Sequence, residues 1–165
     1  DLIITTYREA NPQITALWKQ ANKALDSMLE GSVMEVGIQP RALSMDEEGF
    51  LLPSGYHLRY NDLKKDDKEY SYLTRRGRVK IYGGKVVENV VQALARCVIA
   101  EQMVWIADRY RPVLTVHDAI AIVAPEAEAE AALVFVEKCM RRVPKWAKGL
   151  PLNCESGIGR NYGEC

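Results

Sequence analysis

The sequence predicts an α+β fold in which helices pack on a small antiparallel sheet. Apolar residues recur at helical spacing between Asn11 and Gly31, and again over a long stretch at residues 85–110. Between these stretches, residues 32–80 form short alternating runs separated by turn residues, which is typical of antiparallel strands. Runs of helices and runs of hairpins, without regular strand–helix alternation, indicate the α+β class.

The composition is that of one ordinary globular domain. The chain has 165 residues, and its 48% hydrophobic content is enough to build a core. Because 22 basic residues balance 22 acidic residues, no overall field attracts nucleic acid, and such binding requires local patches. Four scattered cysteines without a C-x-x-C pair favour a reducing, cytoplasmic location and no zinc site. No uninterrupted apolar run reaches the length of a membrane span, so we expect no membrane partner.

Residues 1–31 are predicted to be helical. Asn11 is suited to an N-cap and Pro12 to the first helical position, while Gly31 follows the end. The apolar positions between them are Ile14, Leu17, Trp18, Ala21, Leu25 and Met28.

Residues 32–81 are predicted to form a hairpin and loop insert. Residues 50–52 and 56–60 flank Pro-Ser-Gly at 53–55, which indicates a hairpin with its turn. We expect the charged residues 64–69 to form a solvated, mobile surface loop. A basic run follows, and such runs are usually solvated faces. Its members are Arg75, Arg76, Arg78, Lys80 and Lys85.

Residues 82–165 contain the remaining elements. Gly83-Gly84 precedes the long helix at 85–110, and a hairpin is predicted at 113–123. Pro125 then begins a helix with acidic residues at its start and basic residues near its end, an order that complements the helix dipole. Residues 150–156 are predicted to form a last strand.

A polar stripe runs along the long helix. Lys85, Asn89, Gln92 and Arg96 fall within about 60° of one another on a helical wheel, and valines cover most of the remaining surface. The stripe either faces water and other protein groups or faces a nucleic-acid strand. In the second case Lys and Arg meet phosphates, while Asn and Gln reach sugars or base edges.

The hairpin LTVHDAIAIV at residues 114–123 displays His117 and Asp118 at its turn. These residue types are consistent with turn chemistry alone. The carboxylate at the apex of an apolar hairpin also suits Mg²⁺, which takes oxygen ligands and usually binds one or two carboxylates plus substrate phosphates. Because two-metal phosphoryl transfer needs further carboxylates, Asp118 requires a partner from outside this hairpin.

Five segments together resemble the C-terminal palm and fingers portion of family A DNA polymerases, the polymerase I class, and especially its phage-type members. LTVHDAIAIV looks like the third polymerase motif, in which a hairpin displays His-Asp-Glu, and YGGKVVENVVQALAR is similar to the palm helix upstream of it. TYREANPQITALW resembles the segment after the nucleotide-binding fingers helix. LLPSGYHLRY resembles the small hairpin that lies between that segment and the palm helix. GIGRNYGEC is similar to the family's C-terminus.

The resemblance implies a role for each candidate residue. Asp118 would be a catalytic metal ligand, and His117 would contact the primer's 3′ end. Lys85 and Asn89 would touch DNA near the active site. Gln92 matches the family's glutamine with a shift of one position, and Arg96 depends on the polar stripe alone.

Two departures from the family pattern bear on activity. Ala119 stands where the family has glutamate after His-Asp. The family's first motif, with the other essential aspartate, and its fingers helix would lie upstream of this chain. We therefore expect a 1–165 fragment whose full-length parent adds deoxynucleotides to primer-template DNA with two Mg²⁺ ions, while the fragment alone is inactive.

Two other functions are compatible with the residues. One is a non-catalytic nucleic-acid-binding module from a degenerate prophage polymerase gene, which Ala119 and the missing motifs suggest. The other is a His-Asp hydrolase, which has little support because no serine or cysteine nucleophile occupies a recognisable setting. The sequence does not indicate an oligomeric state.

Overall fold

The computed structural model describes residues 2–37 and 43–165. Helices and small antiparallel sheets make up its architecture, which confirms the predicted α+β class. The chain divides into two compact units, Asp1–Leu94 and Ala95–Cys165. The functional division into residues 1–31, 32–81 and 82–165 stays a prediction.

The first unit begins with two helices, α1 (Leu2–Ala10) and α2 (Pro12–Glu30). As predicted, α2 starts at the proline and is followed by Gly31, whose φ of 67° is left-handed and whose N–H donates to the Met28 carbonyl. The Asn11 side chain makes no capping hydrogen bond to α2. One face of α2 is buried in the core of the unit, through Ala21, Ala24, Leu25 and Met28.

A four-stranded antiparallel sheet follows, with its strands in sequence order. The strands are β1 (Met34–Val36), β2 (Leu43–Asp46), β3 (Gly49–Leu51) and β4 (His57–Leu58). The pairing of β3 with β4 confirms the hairpin predicted around residues 53–55. Met45 and Phe50 are register partners in β2 and β3, and both are completely buried against α2 in the core of the unit.

A second antiparallel sheet contains β5 (Lys64–Asp66), β6 (Glu69–Thr74) and β7 (Gly77–Ile81). The prediction of a loop at residues 64–69 was therefore wrong. Charged side chains are compatible with an edge strand, whose outward face meets water. Tyr70 on β6 is buried, and its hydroxyl donates to Asp26 on α2. This long-range contact, together with the Lys65–Asp26 ion pair at 2.6 Å, places the strand pair against the helix.

The long helix α3 (Gly83–Ala107) begins in the first unit and continues into the second. In the second unit it is followed by the hairpin of β8 (Pro112–Val116) and β9 (Ala119–Ile122), which confirms the predicted hairpin. Pro125 introduces a short 3₁₀ turn, and α4 (Ala129–Met140) then packs on the core of this unit. That core contains Ile106, Tyr110, Ala132 and Cys139.

The strand predicted at residues 150–156 was wrong. This stretch has no strand partner in the described part of the chain, and side chains of the α4 region hold it instead. Arg141 donates to the Asn153 side chain at 3.0 Å and to the Cys154 carbonyl at 3.3 Å. Ser156 donates to Glu137. Because these bonds come from side chains, no ladder forms.

Among the described residues, α3 is the one helix long and apolar enough to cross a membrane by length and composition. Charged residues such as Arg96 and Glu101 interrupt it. A core helix passes the same test, and α3 contributes Val86 to the core of the first unit and Ile106 to the core of the second. The expectation of no membrane partner stays a prediction.

Candidate catalytic hairpin and nucleic-acid interface

His117 and Asp118 form the two-residue turn between β8 and β9. The register pairs Val116 with Ala119, so these two residues alone connect the strands. His117 has φ of 54°, a left-handed conformation that is uncommon for any residue but glycine. Positive φ in a two-residue loop matches the twist of a hairpin, and it costs on the order of 1 kcal/mol for a residue with a side chain. A histidine thus occupies a backbone conformation that favours glycine.

Both side chains of the turn are exposed. Within residues 2–37 and 43–165, neither makes a hydrogen bond or ion pair, so the Asp118 carboxylate is free to accept a cation. No group of three His, Cys, Asp or Glu residues that could hold a metal occurs in that part of the chain. Asp118 therefore fits as one ligand of a metal ion, while a complete two-ion site is not assembled from the described residues.

The hairpin has one inner and one outer face. Ile120 and Ile122 pack into the core of the second unit. Leu114 and Val116, on the other face, remain 43% and 38% exposed. Ala119 pairs with Val116 at the turn and is also exposed. The methyl group at this position adds no ligand beside Asp118.

In the first unit, the Glu88 carboxylate lies beside the polar stripe of α3, and the sequence analysis did not single it out. The Lys85 ammonium donates to both Glu88 oxygens, at 2.8 and 2.9 Å. Gln92 donates to the same carboxylate at 3.4 Å. The hydrogen bond with Glu88 raises the pKa of Lys85 above its ordinary value. The spacing signals this contact, because residues three or four apart are neighbours on a helix.

Asn89 has a partner within the protein. Its side-chain amide donates to the Tyr60 hydroxyl at 3.3 Å. Burial raises the pKa of Tyr60 to about 12, and the bond from Asn89 opposes that shift. Tyr60 also meets Tyr72 edge-to-face, with ring centroids 5.1 Å apart. In this structure the Asn89 amide thus contacts another protein group, and its role in DNA binding stays a prediction.

The start of α3 is placed by close contact with α2. A Cβ on Gly83 would lie 1.9 Å from the Trp18 carbonyl oxygen, so only glycine fits. The Gly83 N–H donates to the Asn22 side chain at 2.6 Å, and Asn22 belongs to α2. These contacts bring Lys85 to the surface one half-turn later. Close packing against α2 thus requires glycine at the first position of the Gly83-Gly84 pair.

The predicted basic run is largely neutralised. Arg78 forms an ion pair with Asp62, and Lys80 forms one with Glu69 at 2.6 Å. Arg75 and Arg76 lie at the β6–β7 turn, are exposed, and form no ion pair within the described residues. Of the residues in this run on β6 and β7, Arg78 and Lys80 therefore have carboxylate partners, while Arg75 and Arg76 have none among the described residues.

The predicted site residues are divided between the units. Lys85, Asn89 and Gln92 belong to the first unit. Arg96, His117 and Asp118 belong to the second, where Arg96 is exposed and has no partner in the described part of the chain.

The chain is similar to a known DNA polymerase. It is 31% identical over 175 residues to the DNA polymerase of Bacillus phage SP02, and the match covers 97% of this chain. The same match covers 26% of the phage protein, so the chain spans about a quarter of the length of the curated relative it matches. No family model matches the chain, and no solved structure matches it. Over nearly its whole length, the chain is related to one part of a phage DNA polymerase.

Proposed function

We propose that this chain is the C-terminal palm and fingers portion of a phage-type family A DNA polymerase, acting in the bacterial cytoplasm. The observation that carries the proposal is the similarity to the phage SP02 DNA polymerase along 97% of the chain. The five polymerase-like segments support assignment to family A. The parent would join deoxynucleotides to a primer on a template strand.

Asp118 and His117 would act at the reacting ends of the substrates. The free Asp118 carboxylate would hold Mg²⁺ together with carboxylates from elsewhere in the parent, and bound Mg²⁺ would stabilise charge on the transferring phosphate. His117, at the apex of the same turn, would contact the primer terminus. Because no group of three potential metal ligands occurs among the described residues, we propose that the chain alone does not polymerise.

Lys85 would meet the phosphate backbone of the primer-template, and Gln92 would reach a sugar or base edge. In the second unit, Arg96 would make a phosphate contact of its own. The Glu88 carboxylate lies between Lys85 and Gln92 and would repel an approaching phosphate. Binding DNA therefore requires Lys85 to exchange its protein partner for a phosphate oxygen. Asn89, bound to Tyr60, would hold this part of the helix against β4 and the following segment.

A titration of fluorescein-labelled primer-template DNA, read by fluorescence anisotropy, tests these contacts. Loss of one phosphate contact at about 0.1 M salt should weaken binding by about eightfold, so we expect that effect from Lys85→Ala. Glu88→Gln removes the repelling charge and frees Lys85, so it should strengthen binding. Lys23→Ala, an exposed lysine on α2, is the matched control and should change little.

Opposite effects of Lys85→Ala and Glu88→Gln would support the DNA-facing stripe. Equal affinities for both variants and the wild type would show that the stripe is structural. Absence of binding by the wild type would contradict the proposed DNA contact of this chain.

The second candidate is the non-catalytic nucleic-acid-binding module. Ala119 favours it, because a methyl group replaces the carboxylate that the resembled family carries beside Asp118. Primer extension with Mg²⁺ and deoxynucleotides, using the chain alone, should yield no product. Template-dependent extension that Asp118→Asn abolishes would contradict both the predicted inactivity and this second candidate.

A further inference from the structure

The hairpin of β6 and β7 belongs to the second antiparallel sheet, in which β6 also pairs with β5. At its base, Tyr70 and Ile81 are register partners, and both are buried in the core. Near its tip, Leu73 and Val79 are 46% and 40% exposed. These two residues point to opposite faces, because Leu73 pairs with Arg78 while Val79 pairs with Tyr72. Water therefore reaches both faces of the outer part of the ribbon.

The tip of this hairpin is a short turn built by its own hydrogen bonds. Thr74 pairs with Gly77, so Arg75 and Arg76 are the only residues of the loop. The Thr74 hydroxyl donates to the Gly77 carbonyl at 2.7 Å and accepts from the Arg76 N–H at 3.2 Å. Gly77 has φ of 117°, a conformation that suits glycine. The two guanidinium groups are therefore presented on an ordered turn.

The other two basic residues of the hairpin, Arg78 and Lys80, each have a carboxylate partner. Asp62 forms ion pairs with both Arg78 and Lys64, the latter at 3.4 Å. Glu69 pairs with Lys80. The unbalanced positive charge of this hairpin is accordingly concentrated at Arg75 and Arg76.

We propose that the β6–β7 tip binds the phosphate backbone of duplex DNA, with Arg75 and Arg76 making the contacts. This inference rests on the proposed function, which supplies the DNA, and assigns it a second surface separate from α3. Guanidinium groups bind phosphate oxygens with bidentate geometry. The exposed aliphatic side chains behind the tip are suited to the sugar edges.

Anisotropy titrations of the full chain with a labelled primer-template duplex test this proposal. The variant Arg75→Ala/Arg76→Ala is compared with Lys19→Ala/Lys23→Ala, which removes the same charge from exposed positions on α2 of the same unit. At about 0.1 M salt the tip variant should bind between about 8-fold and about 60-fold more weakly, for one or two lost contacts. The dependence of log affinity on log salt should become shallower by about 0.9 to 1.8 for the tip variant.

The control variant should keep the wild-type salt dependence. If both double variants lose affinity equally, the effect is one of general charge and the proposal is overturned. If Lys85→Ala weakens binding while the tip variant does not, the proposed function stands and the tip assignment fails. If the wild type does not bind DNA, the tip assignment and the DNA contacts proposed for α3 both fail.

The remaining outcome concerns an acidic polypeptide. Titration with labelled polyglutamate serves as the probe. If the tip variant loses affinity for polyglutamate but keeps its affinity for the duplex, the tip recognises acidic protein surfaces and the DNA assignment is overturned.

Discussion

Replacing His117 by glycine should keep or increase the stability of the second unit while removing the imidazole from the β8–β9 turn. The reason is the φ of 54° at this residue, which glycine adopts without a steric clash. Alanine at the same position keeps the clash and also loses the imidazole. The comparison of the two substitutions therefore isolates the backbone strain from the loss of the side chain.

The magnitude follows from two opposing terms. A left-handed conformation costs an L-residue roughly 1–2 kcal/mol. Glycine loses more chain entropy on folding, which offsets about 0.4–1 kcal/mol of that gain. His117→Gly should thus be more stable than His117→Ala by about 1 kcal/mol, or about 2–4 °C in Tm for a chain of this size.

Asp118 provides the matched control, because it is the neighbouring turn residue and does not have a positive φ. There the order should reverse, with Asp118→Ala more stable than Asp118→Gly by about 0.4–1 kcal/mol. Urea unfolding followed by tryptophan fluorescence measures all four variants. Since Trp18 is the one tryptophan in the first unit, a Trp18→Phe background leaves Trp105 and Trp146 to report on the second unit alone.

A His117→Ala variant as stable as His117→Gly, or more stable, would contradict the predicted backbone strain. It would mean that the turn is not held at positive φ, and that the histidine is not presented at a strained apex. Loss of DNA binding or primer positioning in both His117 variants would be a separate result, which reports on the imidazole.

Two further predictions concern the first unit. Gly83→Ala should lower the free energy of unfolding by about 1–3 kcal/mol or more, because the added Cβ would meet the backbone of Trp18. Gly84→Ala should cost less, because the nearest contact of its Cβ is a tyrosine side chain at 3.2 Å. Chemical denaturation of both variants checks this order, and equal losses would contradict the close contact between α2 and α3. Because the folded-state pKa of Tyr60 is raised from 10 to about 12, the neutral hydroxyl stabilises the fold fully below pH 10, and this contribution, on the order of 2 kcal/mol, should be lost as the pH rises from about 10 to about 12. Tyr60→Phe should flatten that alkaline loss in denaturation curves recorded across this interval, and an unchanged slope would contradict the burial of the hydroxyl.

Several features were predictable because short-range chemistry determines them. The Asn11-Pro12 start and the Gly31 end of α2 depend on backbone conformations that only a few residue types favour. The alternation of apolar residues around His117 and Asp118 likewise predicts a hairpin with those two residues at its turn. The position of the candidate catalytic residues at this turn could be predicted for the same reason.

Partners that lie far apart in the chain could not be read from local patterns. Tyr60 and Asn89 lie 29 positions apart, and only packing of α3 brings the amide to the hydroxyl. The charged stretch at 64–69 is a strand pair because Tyr70 and Lys65 reach Asp26 on α2, a contact across about forty positions that no local pattern encodes.

The same distinction applies to charge. The order of residues shows that basic side chains cluster between Arg75 and Lys85 and that the chain as a whole is neutral. The fold decided that Arg78 and Lys80 pair with the carboxylates of Asp62 and Glu69, while Arg75 and Arg76 form no ion pair among the described residues. Ion pairing depends on distances of a few ångströms between residues far apart in the chain, and those distances exist only once the strands are paired.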